Sequence, residues 1–293
     1  MPSRAAEPSA SGEIHLGDNL IALRAMPDGC CNLIYIDPPF NTQKTQRRER
    51  IAVTRSANGT RGGFGSQRYS VKKLDSPDYA DSFDDFSGFM RPRLEEAHRL
   101  LAADGSFFLH IDYREAHYMK VMLDEIFGRA SFMNEIVWAY DYGGKPRSRW
   151  PAKHDTILWY AKDSAGYTFN FDAIDRIPYM APGLVGAEKA ARGKIPTDVW
   201  WMTIVPTNSK EKTGYPTQKP LKLLNRIIAV HSHPGDMVLD FFAGSGTTGE
   251  AAARAQRRFI LIDSSVAATE LMAKRLSYCS PKLFGFAAKA RRA

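Results

Sequence analysis

Cysteine is scarce in this sequence: Cys30, Cys31 and Cys279 are the only three in 293 residues. Neighbouring cysteines make a poor structural bridge and no CxxC spacing occurs, which speaks against a disulfide framework and against a zinc site. Such usage predicts a reducing compartment. Long apolar runs are missing as well. No stretch approaches the ~20 residues that span a bilayer, and the start, MPSRAAEPSASGE, lacks the apolar centre of a signal peptide. Together these absences predict a cytoplasmic protein with no membrane partner. A GxxxxGK[ST] phosphate loop is also absent, so little supports a nucleoside triphosphatase.

What is present is basic. Forty Lys and Arg outnumber 32 Asp and Glu, giving a net charge of +8 that favours polyanions as partners. A hydrophobic content of 44% suffices for one large core, or a core plus a small lobe. Residues 1–12 are rich in Ala, Ser and Pro and read as a loose tail. After them, apolar runs alternate with helical spacing. Strands are expected at 14–16, 32–36, 106–111, 135–140, 155–161, within DMVLDFF and within RFILID. Helices are expected at 19–26, 86–101, 115–126, 219–230, 247–255 and 266–276. This alternation predicts an α/β fold, a doubly wound, mainly parallel sheet with helices on both faces. Two stretches break the pattern. Residues 41–77 are polar, basic and glycine-rich, and read as a long mobile loop. Residues 141–215 fall into short pieces with Gly, Pro and Trp, and read as an inserted lobe. Residues 281–293 read as a basic tail.

Two strand ends carry chemistry. The run ending in Ile36 stops at Asp37-Pro38-Pro39-Phe40. All three leading residues form turns, so a plain turn is one reading. The other is a clamp for a base amine. An exocyclic amino group is a poor nucleophile because its lone pair is delocalised into the ring. Asp37 and the Pro38 carbonyl can each accept one N–H and aim the lone pair, while the prolines stiffen the backbone. Phe40 can stack on the base, which must first leave its duplex.

The second strand end is VLDFFAGSGTTGEAA, in which Gly244, Gly246 and Gly249 have GxGxxG spacing after Asp240. Such glycines permit a tight turn and close approach of a ligand to the backbone, and the following helix points its amides at that ligand. Asp263 closes the next strand about 20 residues on, where an acid can hold ribose hydroxyls. This pattern fits a nicotinamide dinucleotide as well as S-adenosylmethionine. Asp240 tips the balance to the latter, because it would repel a pyrophosphate and suits the cationic end of a methionine-type ligand.

Together these motifs resemble the DNA amino-methyltransferases, which modify adenine N6 or cytosine N4 with S-adenosylmethionine. The target motif stands at Asp37-Pro38-Pro39-Phe40, and the cofactor motif at Asp240, Phe242, Gly244, Gly246, Thr247 and Thr248. A Pro-Thr-Gln-Lys-Pro motif runs from Pro216 to Pro220, and a Gly-Asp pair stands at Gly17-Asp18. The target motif precedes the cofactor motif, as in the β class of that family. The resemblance implies that Asp37, Pro38, Pro39 and Phe40 are catalytic, with Asp37 also beside the cofactor. Asp240, Phe242, Ala243, Gly244, Ser245, Gly246 and Thr247 would line the methionine end of S-adenosylmethionine. Asp263 would hold the ribose and Asp18 the adenine amine. Thr217, Gln218 and Lys219 would bind the methionine carboxylate. An Asp at the head of the target motif leans toward adenine N6, with cytosine N4 as the alternative. A cytosine C5 enzyme is disfavoured, since no Pro-Cys nucleophile occurs.

The resemblance implies a Rossmann-like methyltransferase fold, with a catalytic domain at 13–140 and 216–280 and a target recognition region at 141–215. Double-stranded DNA is the expected partner, at the nucleoid of a bacterial-type cytoplasm, with a homodimer and a cognate restriction endonuclease also in view. Lys44, Arg47, Arg48, Arg50, Arg55, Arg61, Arg68, Lys72 and Lys73 are candidate phosphate contacts. In the later region Trp150, Trp200 and Trp201 read as core more than as stacking residues. His231 and His233 read as structural. Two other classes compete: a nicotinamide-dependent oxidoreductase, which leaves the two proline motifs without a role, and a non-catalytic DNA-binding module, which does not need the glycine-rich turn.

Overall fold

The computed structural model describes residues 11–41, 44–47, 50–55, 61–62, 68–74, 78–81, 83–206 and 208–286, with backbone alone between 42 and 82. In chain order, β1 (Gly12–Leu16), α1 (Asn19–Arg24) and β2 (Cys31–Ile36) come first. Five short strands follow: β3 (Lys44–Arg47), β4 (Arg50–Arg55), β5 (Arg61–Gly62), β6 (Arg68–Leu74) and β7 (Asp78–Asp81). Next are α2 (Phe86–Leu100), β8 (Leu101–Ile111), α3 (Ala116–Phe127), β9 (Phe132–Ala139) and β10 (His154–Ala161). Then come α4 (Ala187–Arg192), β11 (Val199–Trp201), α5 (Leu221–His231) and β12 (Met237–Asp240). The chain closes with α6 (Thr247–Arg254), β13 (Arg258–Asp263), α7 (Val266–Arg275) and β14 (Lys282–Phe284).

One sheet organises the larger unit, with nine strands in the order β11-β9-β10-β8-β2-β12-β13-β1-β14. Only β10 runs antiparallel to its neighbours, so the sheet is mainly parallel as expected. Its centre is β2, whose CNLIYI run is apolar on both faces because helices cover both. Period-two alternation sorts the core. Leu33, Tyr35, Phe108, Ile157 and Trp159 share one cluster with Leu224, Ile227, Ala252 and Met272 of α5, α6 and α7. Ile34, Ile36, Phe107 and Leu109 are buried but stand outside that cluster, on the face that meets α2 and α3.

Three expectations change. The stretch 141–215 contributes two strands, β10 and β11, to the main sheet and falls in the same compact unit as that sheet. Lys282–Phe284, expected in a basic tail, pairs with β1 as an edge strand. Where a loop was expected at 41–77, the backbone forms antiparallel ladders, β6 with both β4 and β5, and β3 with β7 just beyond. Asn41–Asp84 forms a compact unit of its own. The basic side chains singled out there, like the expected tail before residue 11, lie outside the described residues. Among the described residues, no helix is long and apolar enough to cross a membrane.

Of the tryptophans at 150, 200 and 201, Trp200 is core, whereas Trp150 and Trp201 are exposed. His231 is buried against Trp159 and Phe108. Asp85 caps α2 by accepting from the Gly88 amide at 2.7 Å.

Candidate active site

Strand register carries the sequence-predicted residues to one edge of the sheet. Leu16 lies opposite Asp263, Leu261 opposite Asp240, Leu239 opposite Ile34 and Ile36 opposite Leu109. The carboxyl ends of β1, β13, β12 and β2 therefore present Asp18, Asp263, Asp240 and Asp37 side by side. Asp112 follows β8, and the antiparallel β10 begins at the same edge with Asp155. In an open α/β sheet this edge is where ligands bind.

The glycine-rich turn is a braced cradle. Gly244 and Gly246 have φ of +49° and +74°, a region that side chains disfavour. A Cβ at Gly246 would lie 2.8 Å from Cγ of Met272, so α7 packs directly on the turn. The Gly244 amide donates to Asp263 Oδ2 at 2.8 Å, and the Ser265 amide to Oδ1 at 2.8 Å. Both oxygens of the expected ribose ligand thus hold backbone, and burial raises its carboxyl. Asp240 is more deeply buried. Thr248 Oγ1 donates to its Oδ2 at 2.6 Å and the Phe242 amide to its Oδ1 at 3.0 Å. Burial raises this carboxyl to about 7 against those hydrogen bonds, and the charges of Asp37 and Asp263 add to the rise.

Several site residues escaped the sequence reading. Arg275 of α7 donates Nη1 to the Ser245 carbonyl and to Thr247 Oγ1, each at 3.0 Å, and pairs through Nε with Glu250. Arg93 of α2 donates to Asn19 Oδ1 at 2.6 Å and to Asp18 Oδ2 at 3.2 Å. Asn19 in turn donates to the Phe241 carbonyl at 2.7 Å, which ties the Gly17-Asp18 turn to the cofactor motif. Asp18 also caps α1, accepting from Ile21 at 3.2 Å.

The Pro216–Pro220 motif divides its labour. Thr217 is exposed. Gln218 is buried and consumed locally: its oxygen accepts from the amide and hydroxyl of Thr213, both at 2.8 Å, and its nitrogen donates to the Glu211 carbonyl at 2.7 Å. Lys219 reaches across to the target motif, with Nζ 2.5 Å from Asp37 Oδ2 and 5.0 Å from the centroid of the Phe40 ring. The other oxygen, Asp37 Oδ1, is buried with no hydrogen-bond partner among the described residues.

Beneath the target motif runs a buried polar chain. The Tyr35 hydroxyl meets His110 Nδ1 at 2.8 Å, His110 Nε2 meets Asp155 Oδ2 at 3.0 Å, and Tyr140 donates to Asp155 Oδ1 at 3.0 Å. The Phe40 ring stacks on His110, 6.0 Å between centroids and 23° between planes. Burial alone would raise the Asp155 carboxyl, but the hydrogen bond and charge of His110, helped by Lys219 and Tyr140, hold it below its ordinary value. Tyr35 shares a face with Asp37 two residues on, so this chain underlies Asp37 and Phe40 alike.

A family model described as DNA methylase, covering adenine N6 and cytosine N4 enzymes, matches residues 31–274, from β2 through α7. The chain belongs to this DNA methylase family. It is 29% identical over 277 residues to the DNA adenine methyltransferase YhdJ of Escherichia coli K12, covering 90% of this chain and 82% of that protein. Its fold is similar to that of the PvuII cytosine-N4-specific DNA methyltransferase, with a TM-score of 0.63, 17% identity and coverage of 93% of this chain and 90% of that one. It is also similar to M1.HpyAVI, solved as a complex with SAM, at a TM-score of 0.57, 22% identity and coverage of 90% and 98%. Membership of the DNA methylases sets aside the oxidoreductase and the non-catalytic module. The Lys219–Asp37 contact brings the two proline motifs together.

Proposed function

We propose that this DNA methylase transfers a methyl group from S-adenosylmethionine to adenine N6 of a base flipped out of double-stranded DNA. The observation that carries the proposal is Asp37: a buried carboxylate oxygen with no donor among the described residues, beside an aromatic ring, next to a glycine-rich cradle. A buried acceptor left unpaired is costly, and an amine N–H arriving there would relieve it.

The cradle suits this cofactor. Left-handed glycines leave room for a ligand, and Asp240, held partly protonated by burial, would be relieved by a cation. In this proposal Asp240, Phe242, Ala243, Gly244, Ser245, Gly246 and Thr247 surround the methionine end, Asp263 and Asp18 serve the nucleoside, and Thr217 and Lys219 serve the carboxylate. Gln218 acts indirectly, by shaping the 211–218 loop. The cofactor supplies an electrophilic methyl group on a sulfonium. Asp37 and the Pro38 carbonyl accept the two N–H bonds of the base amine, which turns its lone pair toward that carbon. The new N–C bond forms as the C–S bond breaks, leaving its electron pair on sulfur. The nitrogen becomes positive, Asp37 stabilises that charge, and a proton leaves through it to solvent. Phe40, backed by His110, stacks on the base.

Adenine is favoured by the Asp that heads the target motif and by the likeness to YhdJ; cytosine N4 is the alternative, since both amines need the same acceptors. Methylating DNA with the protein, digesting it to nucleosides and weighing the products distinguishes N6-methyladenine from N4-methylcytosine. Absence of both would overturn the proposal. The proposal extends to base reading by residues 141–215, phosphate contacts by the basic segment 41–77, and action in the cytoplasm. It includes self-association, measurable by sedimentation, and a cognate endonuclease that cuts the same unmethylated site.

A further inference from the structure

The position of the Lys219 ammonium has a chemical meaning. It donates to Asp37 Oδ2 at 2.5 Å and sits 5.0 Å from the Phe40 centroid. The pair is largely withdrawn from solvent, with side-chain exposures of 11% and 16%. A base amine poised for methyl transfer needs those same two partners, a carboxylate oxygen to accept N–H and an aromatic face to lie on. We propose that Lys219 is a positioning residue that occupies the target-amine place in the free enzyme and vacates it when the carboxylate of the cofactor draws its ammonium away. This inference rests on the proposed role of Asp37 as the amine acceptor.

The energetics set the order of events. An ammonium–carboxylate hydrogen bond is charge-assisted and roughly twice as strong as a neutral one. A neutral base amine is therefore a poor competitor for Asp37 while Lys219 remains. Moving a buried ammonium away from its counter-charge without another anion is strongly unfavourable. S-adenosylmethionine carries one carboxylate, and the backbone of Lys219 already sits at the cofactor motif, since Thr247 Oγ1 donates to the Lys219 carbonyl at 3.2 Å. Pro220 and α5 follow directly, so the anchored part is the main chain and the movable part is the long side chain. Exchange of one anion for another lets the ammonium leave without stranding its charge. The consequence is ordered binding, with cofactor first and base second. Asp155, which feels the Lys219 charge, keeps His110 and Phe40 in place through the exchange.

The test uses DNA carrying 2-aminopurine next to the target adenine, whose fluorescence rises when the adenine beside it leaves the stack. With the wild-type protein, S-adenosylhomocysteine should raise the fluorescence and tighten DNA binding at least tenfold. 5′-Methylthioadenosine at saturating concentration, which lacks the carboxylate, should do neither. With Lys219→Met, fluorescence should rise without any cofactor, and the effect of S-adenosylhomocysteine on DNA affinity should shrink to about twofold or less. Lys219→Arg, which keeps the cation, should retain the cofactor dependence. Equal responses of the wild-type protein to the two nucleosides would overturn the inference, with no variant needed. So would a Lys219→Met protein that binds S-adenosylhomocysteine more weakly yet shows no base entry without it, because Lys219 would then be a plain ligand of the cofactor. Methyl transfer by Asp37→Ala tests the underlying reading separately: if it persists, the acceptor role fails whatever Lys219 does.

Discussion

Thr248 donates its hydroxyl to Asp240 across 2.6 Å, from the first turn of α6 to the end of β12. That bond fastens the helix to the strand on either side of the glycine-rich turn. Even so, it does not offset the desolvation of the carboxyl, which titrates at about 7.

A pH dependence follows for cofactor binding. A cationic ligand group prefers the ionised acid, so binding from below pH 7 must first release a proton. Affinity for S-adenosylmethionine should fall as pH drops below about 7, approaching tenfold per unit. Titration calorimetry between pH 5.5 and pH 8.5, scales set by that value, measures it. Asp240→Asn should bind more weakly at pH 8 and lose most of the slope.

Asp37→Ala should lower methyl transfer by roughly a hundredfold or more, the usual cost of removing a placed electrostatic partner. Cofactor affinity should hold or rise, because the cradle lies on other strands and Lys219 is released to meet the cofactor carboxylate. Single-turnover transfer of labelled methyl groups, alongside calorimetry, separates the two effects. Full activity would remove Asp37 from the chemistry.

Gly244→Val should weaken cofactor binding by roughly tenfold or more, about 1.4 kcal/mol. The residue has a positive φ that valine resists, and its Cβ would come 3.1 Å from the Tyr215 ring. Unchanged affinity for S-adenosylmethionine would place the cofactor elsewhere.

Asp155→Ala removes the acceptor for both His110 and Tyr140. Leaving those buried groups unpaired should cost about 3 kcal/mol of stability, read from urea denaturation. Asp155→Asn keeps an acceptor and should cost less. Equal losses in the two variants would argue that packing alone matters there.

His231 gives an acid sensitivity that the site does not explain. Burial lowers its imidazole to about 3, so the folded protein holds it neutral while the unfolded chain protonates near 6.5. The folded pKa is the lower one, so this stabilisation is complete above about 6.5 and is lost as pH falls toward 3. Between pH 7 and pH 5 the loss should be about 2 kcal/mol. His231→Gln should flatten that part of the stability–pH curve in chemical denaturation.

The motifs were legible because each is local. Asp37-Pro38-Pro39-Phe40 and the glycine-rich turn both end strands whose apolar runs announce them, and register then brings them together. Gln218 was read as a ligand together with its neighbours, but a side-chain amide has no sequence signal for which partner it takes, and Thr213 and Glu211 take it here. His110 and Asp155 looked like ordinary strand residues, since what distinguishes them is the chain of contacts across three strands and the end of a fourth. The strand at Lys282–Phe284 is three residues long, too short to show a period, and exists because β1 offers it an open edge. β10 was seen as a strand but grouped with an insertion, because its antiparallel place between β9 and β8 is a matter of topology.

By itself the sequence determined the longer strands and helices of the main sheet, the two motif-bearing turns and the family, because hydrophobic period and backbone-restricting residues act over a few positions. Tertiary structure alone decided who meets whom. Lys219 stands 182 residues from Asp37, and nothing local to either foretells a 2.5 Å ion pair. That contact exists because the sheet aligns the ends of β2 and β12, α6 anchors the Lys219 carbonyl, and a buried carboxylate takes the nearest cation the packing delivers.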